Sequence, residues 1–573
     1  MKNKQRAIYT ENTQCRDCYK CVRACPVKAI RVKNSSAVVD HDLCIFCGKC
    51  VDICPASAKK VRNDIHRADK LIAEKKHVIV SLAPSFTAWF RGNKEDIIAK
   101  FKDKGVAEVS ETALGAEIVA DSENRIYEST RKGTISSACP VIVQLVIQYY
   151  PEFADNLSTL HSPMCAHAKY LRALNKDDDI GIIFAGPCIA KKEEADQNSD
   201  LIDVALTFEE LEVWLNSNNA VEKTCYNKEL KFYPCESGNS SLFPIDGGMI
   251  ATMAAANKTL STGYITQSGV VSIIEELNSF KKNGELPEIF YEYLACQGGC
   301  INGPAIPKKI STAEKRISVI SYTKEYENSH ISCDSFDIVN HNRKISEVKP
   351  ACDDEMIIEN ALAELGKADQ ADRKDCGGCG YNTCRDFACA FIEGKAEKEM
   401  CVTEMRKLAQ KKANVLMTTI PLGVAIVDTD LSIVECNRQF LEVFSDIPSE
   451  ITDEMLIAVR GIPFADFSTE RIFYPQDEQK QKQHMTIEHK GTVISCRSFV
   501  IQKGLLFGAL FQDITSPSIH RETIIRKAED VIRKNLESTQ KIAGLLGENA
   551  AETEIILKSL IDAFDTRKNQ GVD

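Results

Sequence analysis

CRDCYKCVRACP (15–26) and CIFCGKCVDICP (44–55) repeat one pattern, C-x2-C-x2-C-x3-C-P. Thiolates are soft donors that suit iron–sulfur clusters or zinc, so spacing must decide between the two metals. The doubled run, each copy closed by a proline (Pro26 and Pro55), points to iron–sulfur ligation over a structural zinc module. The flanking residues 5–65 hold little apolar material from which to build a core, so the metal would organise this segment.

Working outward, 573 residues are too many for one compact domain, and several cores are expected. The chain has 24 cysteines, most of them in short regular clusters. A formal net charge of −11 speaks against nucleic-acid or anionic-membrane partners. The start, MKNKQRAIYTENTQ, lacks the apolar stretch of a signal peptide, and VIVQLVIQYY (141–150) is about half the length of a membrane helix. A cytoplasmic protein is expected, in which clustered cysteines bind metal. Residues 70–365 read as α/β: strand runs HVIVSLAP (77–84) and DIGIIFAGP (179–187) alternate with helical segments such as FEELEVWLNS (208–217). Both strand runs end in a proline turn that could present groups to a cleft. Residues 366–403 are again cysteine-dense. Residues 405–516 read as a separate α+β domain, with GVAIVDTDLSIVECN (423–437) as a hairpin and TVISCRSFVIQKGLLFGALFQDIT (492–515) as closing strands. From 517 to 573 the chain reads as a helical tail, with a break at GLLGEN (544–549).

The doubled run resembles the bacterial two-cluster ferredoxins, in which the fourth cysteine of each run ligates the other cluster. That implies one [4Fe–4S] cluster on Cys15, Cys18, Cys21 and Cys54, and another on Cys44, Cys47, Cys50 and Cys25. CGGCGYNTCRDFACAFIEGKAEKEMC (376–401) resembles a small [4Fe–4S] domain of redox complexes and corrinoid proteins, with Cys376, Cys379, Cys384 and Cys401 as ligands and zinc as the alternative.

SSACP (136–140), GPCIAKKEE (186–194) and YEYLACQGGC (291–300) resemble the signature segments of the [FeFe] hydrogenases. The resemblance implies that Cys139, Cys188, Cys296 and Cys300 hold a [4Fe–4S] cube. Cys300 would also bridge to a [2Fe] subcluster carrying CO, cyanide and a bridging dithiolate. LAPSF (82–86) matches the family's Ala-Pro-Ser turn, which puts Pro84 and Ser85 beside the diiron site. Lys191 stands where the family uses an ammonium against a cyanide ligand, since anionic diatomics in an apolar pocket need a charged donor. Glu194, in the same register, would anchor that segment. LSTLHSP (157–163) and DGGMIATM (246–253) match supporting segments.

Departures from the pattern bear on function. Bulk-turnover members carry a proton-passing cysteine directly before the first ligand; here it is Ala138. Pocket methionines are replaced by Gly186 and Leu294, and a relay glutamate aligns approximately with Ser122. Cys165 is the nearest substitute thiol in sequence, with His161 and Ser158 weaker choices. The other thiols, Cys225, Cys235, Cys333, Cys352, Cys389, Cys436 and Cys496, read as buried packing residues.

TTIPLGVAIVDTDLSIVECNRQFLEVF (418–444), with Asn437 and Phe440, resembles the opening of a PAS domain, and GALFQDIT (508–515) resembles its exit. The chain therefore resembles the sensory, PAS-bearing branch of the [FeFe] hydrogenases. The implied fold is multidomain α/β: a ferredoxin-like module, a two-lobed H-cluster domain, a small [4Fe–4S] domain, an α+β PAS domain and a helical tail. The implied function is hydrogen sensing, with slow interconversion of H2 and protons. Implied partners are a redox protein such as ferredoxin, a signalling protein reached through the PAS domain and tail, and a second copy in a homodimer. Two other readings are a fully catalytic hydrogenase and a non-catalytic iron–sulfur assembly scaffold.

Overall fold

The structure is a computed structural model and describes residues 5–90, 92–130, 132–176, 179–217, 230–256, 263–306, 310–326, 337–340, 347–348, 354–445, 451–473 and 484–515. The tail from 517, GLLGEN, Cys225, Cys333 and Cys352 lie outside the described residues. Two compact units result: one holds 1–15, 19–361 and 373–397, the other 16–18, 362–372 and the described residues from 398 onward. Among the described residues no helix is long and apolar enough to cross a membrane.

In the first unit, HVIVSL and IGIIFAG form strands His77–Leu82 and Ile180–Gly186. They are the two inner strands of a four-stranded parallel sheet, in the order Glu108–Glu111, His77–Leu82, Ile180–Gly186, Val204–Thr207. All seven residues of Ile180–Gly186 are buried, as expected where helices cover both faces of a parallel sheet. A second parallel sheet has the order Tyr264–Ser268, Phe290–Leu294, Thr134–Ile135. Helices Thr112–Thr130 and Pro163–Leu174 cross at Gly115, where an added Cβ would stand 2.3 Å from the Pro163 carbonyl oxygen.

Two antiparallel pairs, Ile8–Thr10 with Lys59–Val61 and Ile30–Lys33 with Ser36–Val39, frame the N-terminal cysteines. Short helices Lys20–Ala24 and Lys49–Ile53 carry Cys21 and Cys50. The two cysteine runs share backbone as well as spacing: φ is positive at Asp17, Tyr19 and Lys28, and again at Phe46, Gly48 and Ser57. Such left-handed positions turn backbone amides towards a common centre. The amides of Ala29 and Ala58 lie 3.2 Å from the sulfurs of Cys25 and Cys54.

The second unit contains a five-stranded antiparallel sheet, in the order Ile433–Cys436, Gly423–Val427, Leu506–Asp513, Thr492–Gln502, His484–His489. Its first hairpin turns on Asp428, whose Oδ1 accepts from the amides of Asp430 and Ser432, both at 2.9 Å. Asn437 is 2 % exposed and ties three segments together. Its Oδ1 accepts from the Val424 amide (2.7 Å) and the Phe440 amide (3.0 Å), and its Nδ2 donates to the carbonyls of Leu422 (2.7 Å) and Met417 (3.1 Å). N437A would leave these buried groups without partners, and a loss of about 3 kcal/mol is expected. Calorimetry should show it as a lowered transition of this unit, with the first unit's transition unmoved.

Two sequence expectations change. Cys235 and Cys389 are half-exposed and not buried packing thiols, whereas Cys165, Cys436 and Cys496 are buried as expected.

Candidate active site

Parallel strands deliver their following loops to one end of a sheet, so groups that converge there come from distant sequence. Pro84 and Ser85 follow His77–Leu82, Thr112 follows Glu108–Glu111, and Cys188 follows Ile180–Gly186. From the second sheet, Cys139 follows Thr134–Ile135, and Cys296 follows Phe290–Leu294. All of these, with Lys191 and Cys300, line one cavity of about 100 Å³. No three His, Cys, Asp or Glu side chains among the described residues converge on a single-ion position; these four cysteines surround a volume instead.

Each cysteine is held by a local device. Cys139 precedes helix Pro140–Tyr149, with proline at the first helical position. Cys188 precedes helix Ala190–Gln197. Cys300 is presented by Gly298 and Gly299, at φ +79° and +94°; a Cβ on Gly299 would lie 2.4 Å from the Pro244 carbonyl oxygen. Burial, with the charge of the neighbouring cysteines, pushes the Cys188 thiol up to about 11 and raises those of Cys296 and Cys300 as well.

The polar groups are few. Ser85 is 1 % exposed, and its Oγ has no hydrogen-bond partner among the described residues. Lys191 is the one cation among the described lining residues; its Nζ donates to Glu194 Oε2 (2.7 Å) and Ser162 Oγ (2.9 Å). Burial alone would lower the Lys191 pKa, but the Glu194 carboxylate outweighs it and the net shift is upward. Cys165 is fully buried and does not line the cavity; its Sγ lies 3.7 Å from Glu194 Oε1. Burial pushes that thiol well up, so it is a poor proton acceptor at neutral pH. A second, polar cavity of about 670 Å³ lies behind Ser162 and Glu194.

Several lining residues escaped the sequence reading. Glu292 is 2 % exposed, and its carboxylate accepts from the amides of Met249 (3.2 Å) and Ile250 (3.4 Å). Burial outweighs those two bonds and raises its pKa to about 7. Met164 and Met249 also line the cavity, and Ser136 Oγ donates to Met249 Sδ at 3.2 Å. At Gly186 there is no room for a methionine, since a Cβ would meet the Phe184 ring at 2.6 Å. Ser122 is half-exposed, while Glu123, the next residue, is buried and accepts from Ser158 Oγ at 2.6 Å.

Beyond the cavity, Cys25 acts electrostatically on Cys44, Cys47 and Cys50, and Cys47 on Cys296. The loop holding Cys47 packs tightly there: a Cβ on Gly48 would meet Pro304 at 2.7 Å and Ile189 at 3.0 Å. Cys376, Cys379 and Cys384 lie in the same unit. Their loop abuts helix Lys20–Ala24, with the Arg23 guanidinium donating to the Gly378 carbonyl at 3.2 Å. Cys401 belongs to the second unit, where it is buried and precedes helix Val402–Thr419.

Three stretches of the chain match known families. Residues 76–304 match the model of the iron only hydrogenase large subunit, C-terminal domain. Residues 7–55 match a 4Fe-4S dicluster domain, and 372–403 a putative Fe-S cluster domain. Iron hydrogenase 1 of Clostridium pasteurianum is 26% identical over 319 residues, 45% of this chain and 56% of that relative. The chain thus spans little more than half the length of the curated relative it matches. Among solved structures, a variant of the [FeFe]-hydrogenase HydA1 from Chlamydomonas reinhardtii matches with a TM-score of 0.36 and 17% identity, over 48% of this chain and 91% of that one. Another [FeFe]-hydrogenase, solved in connection with oxygen inactivation, gives a TM-score of 0.38 and 17% identity, over 48% and 92%. Residues 76–304 are thus similar to the large subunit of iron only hydrogenases, and the segments before and after them are similar to iron–sulfur domains.

Proposed function

We propose that the chain is a low-turnover [FeFe]-hydrogenase-type oxidoreductase that reports hydrogen through its C-terminal half. One observation carries the hydrogen chemistry: four cysteines, an unpartnered buried serine hydroxyl and a single ammonium share one small cavity. A bare cube would need the thiolates but not Ser85 or Lys191, which disfavours the assembly-scaffold reading. In this reading Cys139, Cys188, Cys296 and Cys300 would hold the iron–sulfur cofactor, and Lys191 and Ser85 would donate to its anionic ligands. When bound, that group supplies reversible cleavage of H2 into two protons and two electrons.

Ala138 supplies no proton to the cavity. Glu292 lines it and, at a pKa of about 7, exchanges protons at neutral pH. Ionised Glu292 accepts a proton during hydrogen oxidation, and protonated Glu292 donates one in the reverse direction. Oxidation should therefore rise, and evolution fall, as pH passes upward through about 7. E292Q is expected to flatten both profiles and cost roughly 10²-fold in rate; unchanged profiles would remove Glu292 from this role.

Electrons would leave through clusters on Cys44, Cys47, Cys50 and Cys25, then Cys15, Cys18, Cys21 and Cys54, with a further cluster on Cys376, Cys379, Cys384 and Cys401. The reporting half is read as a PAS domain, supported by the five-stranded antiparallel order and by Asn437 locking its first helix. A ferredoxin-like redox protein and a signalling partner, met as a monomer or homodimer, complete the proposal. Hydrogen uptake by the matured protein tests it. Uptake about two to four decades below bulk enzymes is expected from loss of the usual proton donor. Uptake matching theirs would favour the fully catalytic reading, for which Glu292 and the Glu123–Ser158 pair are the observations in hand.

A further inference from the structure

We infer that helix Ala190–Gln197 is a strut by which the N-terminal cysteine module sets the position of Lys191, with Asp64 and Glu193 as its positioning residues. The inference rests on the proposed reading only in what Lys191 serves. The strut itself is argued from packing and charge.

The helix, AKKEEADQ, has two apolar side chains, Ala190 and Ala195. Two methyl groups bury too little area to fix a helix of this length. Its face bearing Ala190, Glu193, Glu194 and Gln197 looks into the polar 670 Å³ cavity, so packing does not buttress it there. Ionic contacts are what remain. Successive helical residues project about 100° apart, so a run of charged residues reaches in every direction.

Lys191 points to the first cavity. Lys192, 1 % exposed, donates to Asp64 Oδ2 (2.7 Å), Glu210 (2.8 Å) and the Ala205 carbonyl (3.0 Å). Glu193 accepts from the Ala7 amide at 2.6 Å and pairs with Arg6 at 3.4 Å. Asp196 pairs with Arg62 at 2.7 Å and with Arg67 at 3.4 Å.

Apart from Glu210 and Ala205, the partners on the far side come from two short segments, 6–7 and 62–67, which open and close the cysteine module. Asp64 is the hub. It is 1 % exposed and accepts from Arg62 (3.0 Å), Arg67 (2.9 Å) and Lys192. Asp64, Asp196 and Glu210 balance Arg62, Arg67 and Lys192 in charge. Buried ion pairs of this kind add little net stability over apolar packing, but they fix one geometry because a misplaced partner leaves a buried charge unpaired. That geometry sets where the helix places Lys191, one residue before Lys192. The cysteine module and the cavity are therefore mechanically coupled, and a distortion of the module reaches the ammonium.

The test uses the full chain and two readouts. D64N keeps the shape and removes the charge. Amide hydrogen exchange across 190–197 in the full chain with its iron–sulfur clusters loaded should rise at least about tenfold, which corresponds to about 1.4 kcal/mol. In the matured protein, the cyanide stretching bands should shift as Lys191 moves. K94M, which breaks the separate Lys94–Glu236 pair (2.8 Å), should change neither readout. If D64N does not fold, E193Q probes the same strut through Ala7 and Arg6. A folded variant with wild-type exchange in 190–197 and wild-type bands would overturn the strut. If the wild-type protein shows no cyanide bands, the hydrogen reading fails, and the exchange measurement still decides the strut.

Discussion

Replacing Cys300 by alanine is expected to abolish hydrogen turnover and to remove the CO and cyanide bands, with the iron of the N-terminal module retained. The prediction follows from what the side chain contributes. Cys300 lines the cavity from a turn shaped by Gly298 and Gly299, opposite Cys296 at the start of the same turn. Trading a half-buried thiol for a methyl group costs the fold about 1 kcal/mol, so a loss of function would report on ligation and not on unfolding. Iron analysis, infrared spectra and hydrogen uptake on the same preparation check all three parts. Turnover that survived in C300A would remove this cysteine from the site.

Lys191→Met should be nearly as severe, for a different reason. The Lys191–Glu194 pair is largely buried, with side chains 11 % and 15 % exposed. Removing the ammonium strands the Glu194 carboxylate beside Cys165 and costs about 3–5 kcal/mol. It also takes away the one cation at the cavity, so an anionic guest loses its charged donor. Loss of retained two-iron group and a lowered unfolding midpoint are expected together. K191R tests the chemistry apart from the charge, because a planar guanidinium cannot reproduce a point donor. A K191M protein with wild-type bands would contradict the assigned role.

Legibility in the sequence followed how local each constraint is. Thiolate ligation imposes fixed short spacings, so the N-terminal cysteine pattern could be read directly, and the positive-φ positions repeat with it. Pro84, Ser85 and Lys191 were legible because each keeps register with a strand end or a cysteine. Glu292 was not. Its strand, FYEYL, is buried along its whole length, so period-2 alternation does not show which side faces the cavity. The strut was hidden for the opposite reason: AKKEEADQ has the composition of a solvated helix, and only tertiary structure shows that its charges are buried against 6–7 and 62–67. The C-terminal hairpin VDTDLS was predictable because Asp428 satisfies its own turn.

The central claim is that the cavity shared by Cys139, Cys188, Cys296, Cys300, Ser85 and Lys191 receives a diatomic-ligated two-iron group. Infrared spectroscopy of the matured, full-length protein addresses it most directly, because side chains and water do not absorb strongly where metal-bound CO and cyanide do. Bands of both ligands in the wild-type protein that weaken or vanish together in K191M are the predicted result. A spectrum with no such bands, from protein whose iron–sulfur clusters are fully loaded, would contradict it.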